Sequence, residues 1–78
     1  MTPRTPRVTP DEMIRVLERL GFTLARQSGS HRMYKNSAGR RATVSYHKAE
    51  ILHPKVLANI LDDAGITVEE FMRLLGNT

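Results

Sequence analysis

Phe22-Thr23-Leu24-Ala25-Arg26-Gln27 and Ser30-His31-Arg32-Met33-Tyr34-Lys35 flank Ser28-Gly29. Two mixed apolar and polar runs separated by two small residues are the pattern of an antiparallel hairpin. Taking Ser28-Gly29 as the turn sets Gln27 opposite Ser30, Arg26 opposite His31, Leu24 opposite Met33 and Phe22 opposite Lys35. Leu24, Met33 and His31 then share one face. Asn36 to Arg41 makes the next turn, and Ala42-Thr43-Val44-Ser45-Tyr46 a third strand whose Ala42, Val44 and Tyr46 join that face. Setting Val44 beside Met33 puts Tyr46 opposite His31 and His47 opposite Ser30. Tyr34 is thereby expected on the other, open face beside Arg32, free to stack on a base or to pack on Thr23.

Helices stand on both sides of this meander. Thr9, Pro10 and Glu12 form a helix start, with Thr9 as cap, Pro10 in the first turn and Glu12 closing a capping box, while Val8 can staple against Met13. Met13, Ile14, Leu17 and Leu20 follow at helical spacing and Gly21 ends the run, which predicts a helix over about 10–20. His53-Pro54-Lys55 opens a second helix carrying Val56, Leu57, Ile60 and Leu61 as far as Gly65, with His53 as the entry residue. Thr67-Val68-Glu69-Glu70 is another capping box, opening a short helix with Val68, Phe71, Leu74 and Leu75. Met13, Met33 and Met72 are expected in the core. The predicted class is α+β, in the order α-β-β-β-α-α, with a three-stranded antiparallel sheet covered by helices on one face.

A chain of 78 residues allows one small domain. Residues 1–7, with Pro3, Pro6, Arg4 and Arg7, are expected to form a flexible basic arm, and residues 8–78 the domain. Without Cys there is no disulfide, no thiolate metal site and no cysteine nucleophile. No apolar stretch approaches the roughly 20 residues of a membrane span, and the opening residues lack the apolar core of a secretory signal. A cytoplasmic protein is expected. The net charge is +4, unevenly spread. Residues 26–55 carry Arg26, Arg32, Lys35, Arg40, Arg41, Lys48 and Lys55 against Glu50, whereas 56–78 carry Arg73 against Asp62, Asp63, Glu69 and Glu70. A basic middle before an acidic end suits a polyanion held on one face.

Alternating strand direction brings together the first turn, the end of the third strand and the start of the second helix. Arg26, Ser30, His31, Arg32, Tyr46, His47, His53 and Lys55 are expected there, at a helix start that favours phosphate. A free imidazole titrates at about pH 6.5 and can exchange a proton at neutral pH. Taking the 2′-hydroxyl proton of RNA lets that oxygen attack the adjacent phosphorus and leaves a 2′,3′-cyclic phosphate, with Arg or Lys stabilising the phosphorane and no metal required. His31 is the candidate base, against the plainer reading of a strand histidine bonded at the core margin. Ser30 and His31 form no serine-hydrolase pair, because adjacent strand residues point to opposite faces. His31, His47 and His53 lack the close spacing of helical metal ligands.

Leu20-Gly21-Phe22, Arg26-Gln27-Ser28-Gly29-Ser30-His31, Gly39-Arg40-Arg41-Ala42-Thr43-Val44 with His47, and Ile60-Leu61 with Ala64-Gly65-Ile66-Thr67-Val68-Glu69-Glu70-Phe71 together resemble the HicA toxin family, over nearly the whole chain after Val8. The resemblance implies a small mRNA interferase of a type II toxin-antitoxin system, with a double-stranded-RNA-binding-like α-β-β-β-α fold, neutralised by a HicB antitoxin that covers the active site. It carries the family's catalytic histidine onto His31, with Gly29 and Ser30 as the flanking motif positions. Arg26, Ser30, Arg32, Lys35, His47 and Lys55 are the expected RNA-binding residues, with no metal and no cofactor. Ser45 stands where the family often has proline, and residues 48–54 depart from its common pattern. Two other readings are a double-stranded-RNA-binding module without catalysis and a protein-interaction subunit whose basic surface meets an acidic partner.

Overall fold

Local capping chemistry starts each helix. A computed structural model describes residues 7–47 and 50–76. In α1 (Pro10–Arg19) the Thr9 hydroxyl accepts the Glu12 backbone N–H at 3.2 Å, and the Glu12 carboxylate accepts the Thr9 N–H at 3.0 Å. After the strands β1 (Thr23–Ser28), β2 (His31–Lys35) and β3 (Arg41–Ser45), α2 (Pro54–Ala64) begins at His53, whose Nδ1 accepts the Lys55 N–H at 3.1 Å. The last helix, α3 (Val68–Gly76), repeats the capping box with Thr67 and Glu70. These bonds satisfy N–H groups that a helix start otherwise leaves unpaired. The architecture is α+β in the expected order. The arm expected over residues 1–7 lies outside the described residues except for Arg7, which is exposed, and so does Lys48.

The sheet order is β1-β2-β3, antiparallel throughout, but its register differs from the expected one, by two residues at Arg26 between β1 and β2 and by one between β2 and β3. Ser28 pairs with His31, so the two-residue turn is Gly29-Ser30 rather than Ser28-Gly29. Gly29 has φ +58, and a tight hairpin needs a positive φ at the first turn position, which glycine meets without strain. Arg26 accordingly faces Met33, and past a bulge at Ala25 Leu24 pairs with Tyr34 rather than with Met33. On the other side His31 pairs with Ser45, Arg32 with Val44 and Met33 with Thr43. Tyr46 thus does not oppose His31, nor His47 Ser30; the Tyr46 N–H donates to the Ser30 carbonyl at 2.7 Å.

The one-residue shift between β2 and β3 exchanges which face of β2 meets the core. Tyr34, expected on the open side, is 3% exposed and packs with Ala42 and Val44. Met33 and His31, expected beside Val44, lie on the opposite face, and Leu24 next to the bulge is 49% exposed. α1 and α2 both pack on β3, and α3 packs on both helices. The core between helices and sheet holds Val8, Met13, Val16, Leu17, Phe22, Leu57, Ile60 and Phe71. Full burial of such a side chain contributes about 1.5–3 kcal/mol. Met13 is in the core as expected, whereas Met72 is 45% exposed and Val56 points to solvent.

The end of α2 is closed by Gly65 at φ +77, where the Ile66 N–H reaches the Leu61 carbonyl at 3.0 Å. The Arg40 guanidinium lies over it, donating to the Asp63 carbonyl at 3.3 Å, and a Cβ on Gly65 meets Arg40 Cζ at 2.7 Å. Gly65→Ala is expected to destabilise the fold by about 1–2 kcal/mol through the left-handed backbone. Urea unfolding measures this, and a midpoint equal to the parent's contradicts the assigned cap.

Candidate active site

The sheet face opposite the helices is open. β2 is the central strand, so residues of all three strands surround its outward side chains: Arg26 and Ser28 from β1, His31, Met33 and Lys35 from β2, and Arg41, Thr43 and Ser45 from β3. His31, exposed, begins β2 directly after the turn. Ser28 pairs with it on one side and Ser45 on the other. Because the Tyr46 N–H bonds the Ser30 carbonyl, His31 and Ser45 occupy the adjacent non-hydrogen-bonded position, in which side chains approach most closely. Arg26, Ser28, His31, Met33 and Thr43 line a shallow hollow of about 220 Å³. No Asp or Glu occurs from residue 19 to residue 49, so this face carries cations without a carboxylate on any strand.

Arg32 takes the other face. Its guanidinium stacks on the Tyr46 ring, with Cζ 3.9 Å from the ring centroid, and its Nε is buried without a hydrogen-bond partner. The Tyr46 hydroxyl is held above its ordinary pKa, chiefly by a hydrogen bond with Asp11 of α1, then by partial burial and the charge of that carboxylate, with Arg32 pulling the other way. Arg32 and Tyr46 therefore join β2, β3 and α1 behind the sheet and do not share the surface of His31.

A second hollow, of about 210 Å³, lies beyond the edge of β3 at the starts of α1 and α2, lined by Pro10, Ser45, His47, Glu50, Ile51, Leu52, His53 and Val56. The expected cluster is thus divided. Arg26 joins His31, and His47 joins His53 one strand away. Lys55 sits exposed on the first turn of α2, and Lys35, on the same face as His31, lies about 13 Å farther along β2 at 3.3 Å per residue. Ser30 occupies the turn itself. Among the described residues no three His, Asp or Glu side chains come together as a metal-binding group. Ser28, Thr43, Ser45 and Glu50 are site-lining residues that sequence reasoning does not select. Strand register is the signal that finds the first three, the turn for Ser28 and the β2–β3 pairing for Thr43 and Ser45.

Residues 10–66 match the family model described as the HicA toxin of bacterial toxin-antitoxin. The chain belongs to the HicA toxin family. The matched span runs from the first residue of α1 through α2 and its glycine stop, and so contains the whole sheet and both hollows. Membership makes the chain the toxin of a toxin-antitoxin pair, with an antitoxin as counterpart. No individual curated protein matches the chain. Among the described residues no helix is long and apolar enough to cross a membrane.

Proposed function

We propose that this HicA-family toxin is an endoribonuclease that cuts mRNA with His31 as general base. The observation that carries this reading is the exposed imidazole on an open, carboxylate-free sheet face, in one hollow with the Arg26 guanidinium. His31 takes the proton of a ribose 2′-hydroxyl, and the oxygen attacks the adjacent phosphorus. The 5′-oxygen leaves and takes up a proton, giving a 2′,3′-cyclic phosphate and a 5′-hydroxyl. Arg26 stabilises the negative charge of the phosphorane, while Ser28 and Ser45 supply hydroxyls beside the ring. Lys35 and Arg41 extend the positive surface along the strand for the rest of the RNA backbone. Nothing in this route requires a metal or cofactor.

The counterpart in this reading is a HicB-like antitoxin that neutralises by covering the open face. Purified protein is expected to cut RNA in the presence of EDTA and to leave cyclic-phosphate and 5′-hydroxyl ends, and co-expression with a HicB-like antitoxin is expected to restore growth. RNA that is bound but stays intact points instead to the binding module, and neither binding nor cleavage to an interaction subunit.

A further inference from the structure

We propose that the hollow beyond Ser45 is a guanine subsite, holding the base next to the linkage at His31, with Glu50 reading its Watson–Crick edge. This rests on the proposed nuclease reading and adds which nucleotide it prefers. The two hollows lie on either side of β3 and differ in polarity. Among the described residues, the one at His31 is lined by Arg26 and no carboxylate, and the one beyond Ser45 by Glu50 and no Lys or Arg. The Arg26 guanidinium of the first suits a phosphodiester, and the Glu50 carboxylate of the second disfavours one. A base with donor groups on its edge fits the second.

The walls have the character of a base site. His47 and His53 bring imidazoles, a ring type that stacks on bases, and Pro10, Ile51, Leu52 and Val56 supply apolar surface. A space of about 210 Å³, below the ~300–1,000 Å³ of drug-sized pockets, suits a single planar heterocycle. The walls are also anchored. His53 is fixed by the bond from the Lys55 N–H, the Glu50 N–H donates to the His47 carbonyl at 3.0 Å, and the Leu52 N–H donates to the Val8 carbonyl at 2.7 Å. Ser45, which lines this hollow, is the cross-strand neighbour of His31, so the hollow adjoins the strand paired with the one that carries the imidazole.

Guanine follows from the carboxylate. Two oxygens side by side match two adjacent donors, and guanine alone presents N1–H beside an amino group on its Watson–Crick edge. Cytosine and adenine offer one amino group to such an acceptor, and uracil one imino N–H.

The test uses short RNAs identical except for one central A, C, G, U or inosine, the last lacking the 2-amino group. Their cleavage is compared in the wild-type and Glu50→Gln proteins, and their binding in proteins that also carry His31→Ala. Wild type is expected to favour G over U by about tenfold, the usual discrimination of one bidentate pair, to lose most of this with inosine, and to lose it in Glu50→Gln. A G-to-U ratio near one in wild type, or an undiminished ratio in Glu50→Gln, overturns the subsite. If no RNA is cut, the nuclease reading fails by itself and the binding ratios decide: a Glu50-dependent preference for G upholds the subsite, and equal binding overturns it.

Discussion

His31→Ala is expected to fold as the parent does and to cut RNA on the order of 10²–10⁴ times more slowly, the range that a positioned general base contributes. Folding is preserved because the ring is exposed on the uncovered sheet face and contributes nothing to the core. Substitutions at such positions normally change stability by no more than about 0.5 kcal/mol. The rate falls because the 2′-hydroxyl then lacks a base, and even a hundredfold loss corresponds to about 2.7 kcal/mol of barrier. Arg26 remains, so RNA binding should persist where cleavage is lost. Thermal melting, RNA binding and the cleavage rate, measured on one preparation, separate these effects. Full cleavage by the variant removes His31 from the chemistry, and a collapsed melting transition shows the ring to be structural.

The other large effect is expected far from the site. Phe71→Ala should cost about 3–5 kcal/mol, the usual range for emptying a buried aromatic position. Phe71 is fully buried, and no other α3 residue is classed as buried. Leu74 and Leu75 are half-buried, and the Arg19 guanidinium reaches the Leu74 carbonyl from α1. Without the ring, this nine-residue helix keeps little to hold it against α1 and α2. Domains are stable by only about 5–15 kcal/mol, so the loss consumes much of the margin. At about 4–8 °C per kcal/mol for a chain this small, Tm should fall by roughly 12 °C or more. A fall of only a few degrees shows that α3 contributes little to the fold.

Helix boundaries are legible in the sequence because their signals are local. Thr9 with Glu12, Thr67 with Glu70, Pro54 and Gly65 each act on backbone groups within four residues, so the residue types already specify the bond. Strand register is not, because it depends on partners distant in the chain. Met33 and Tyr34 are adjacent and both apolar, so a period of two fits either choice of inner face. Ser28, Gly29 and Ser30 offer two overlapping turns, and the choice between them falls on where the backbone needs positive φ. The bulge at Ala25 has no compositional signal at all. His31 stands out by its chemistry and its motif, while its neighbours depend on the register. Hence sequence reasoning places Arg26 in the site, meets Ser45 only as a departure from the family's pattern, and assigns Arg32 to a surface from which it turns away.

That alternation constrains how the chain can change. His31 and Arg32 are consecutive residues with opposite assignments, one to solvent and one to the ring of Tyr46. Slipping β2 by a single residue against its neighbours sends the imidazole inward and a guanidinium out. Descendants of this sequence can lengthen the Gly29-Ser30 connection and keep their chemistry, whereas one residue gained or lost inside the strand forfeits both packing and reactivity at once.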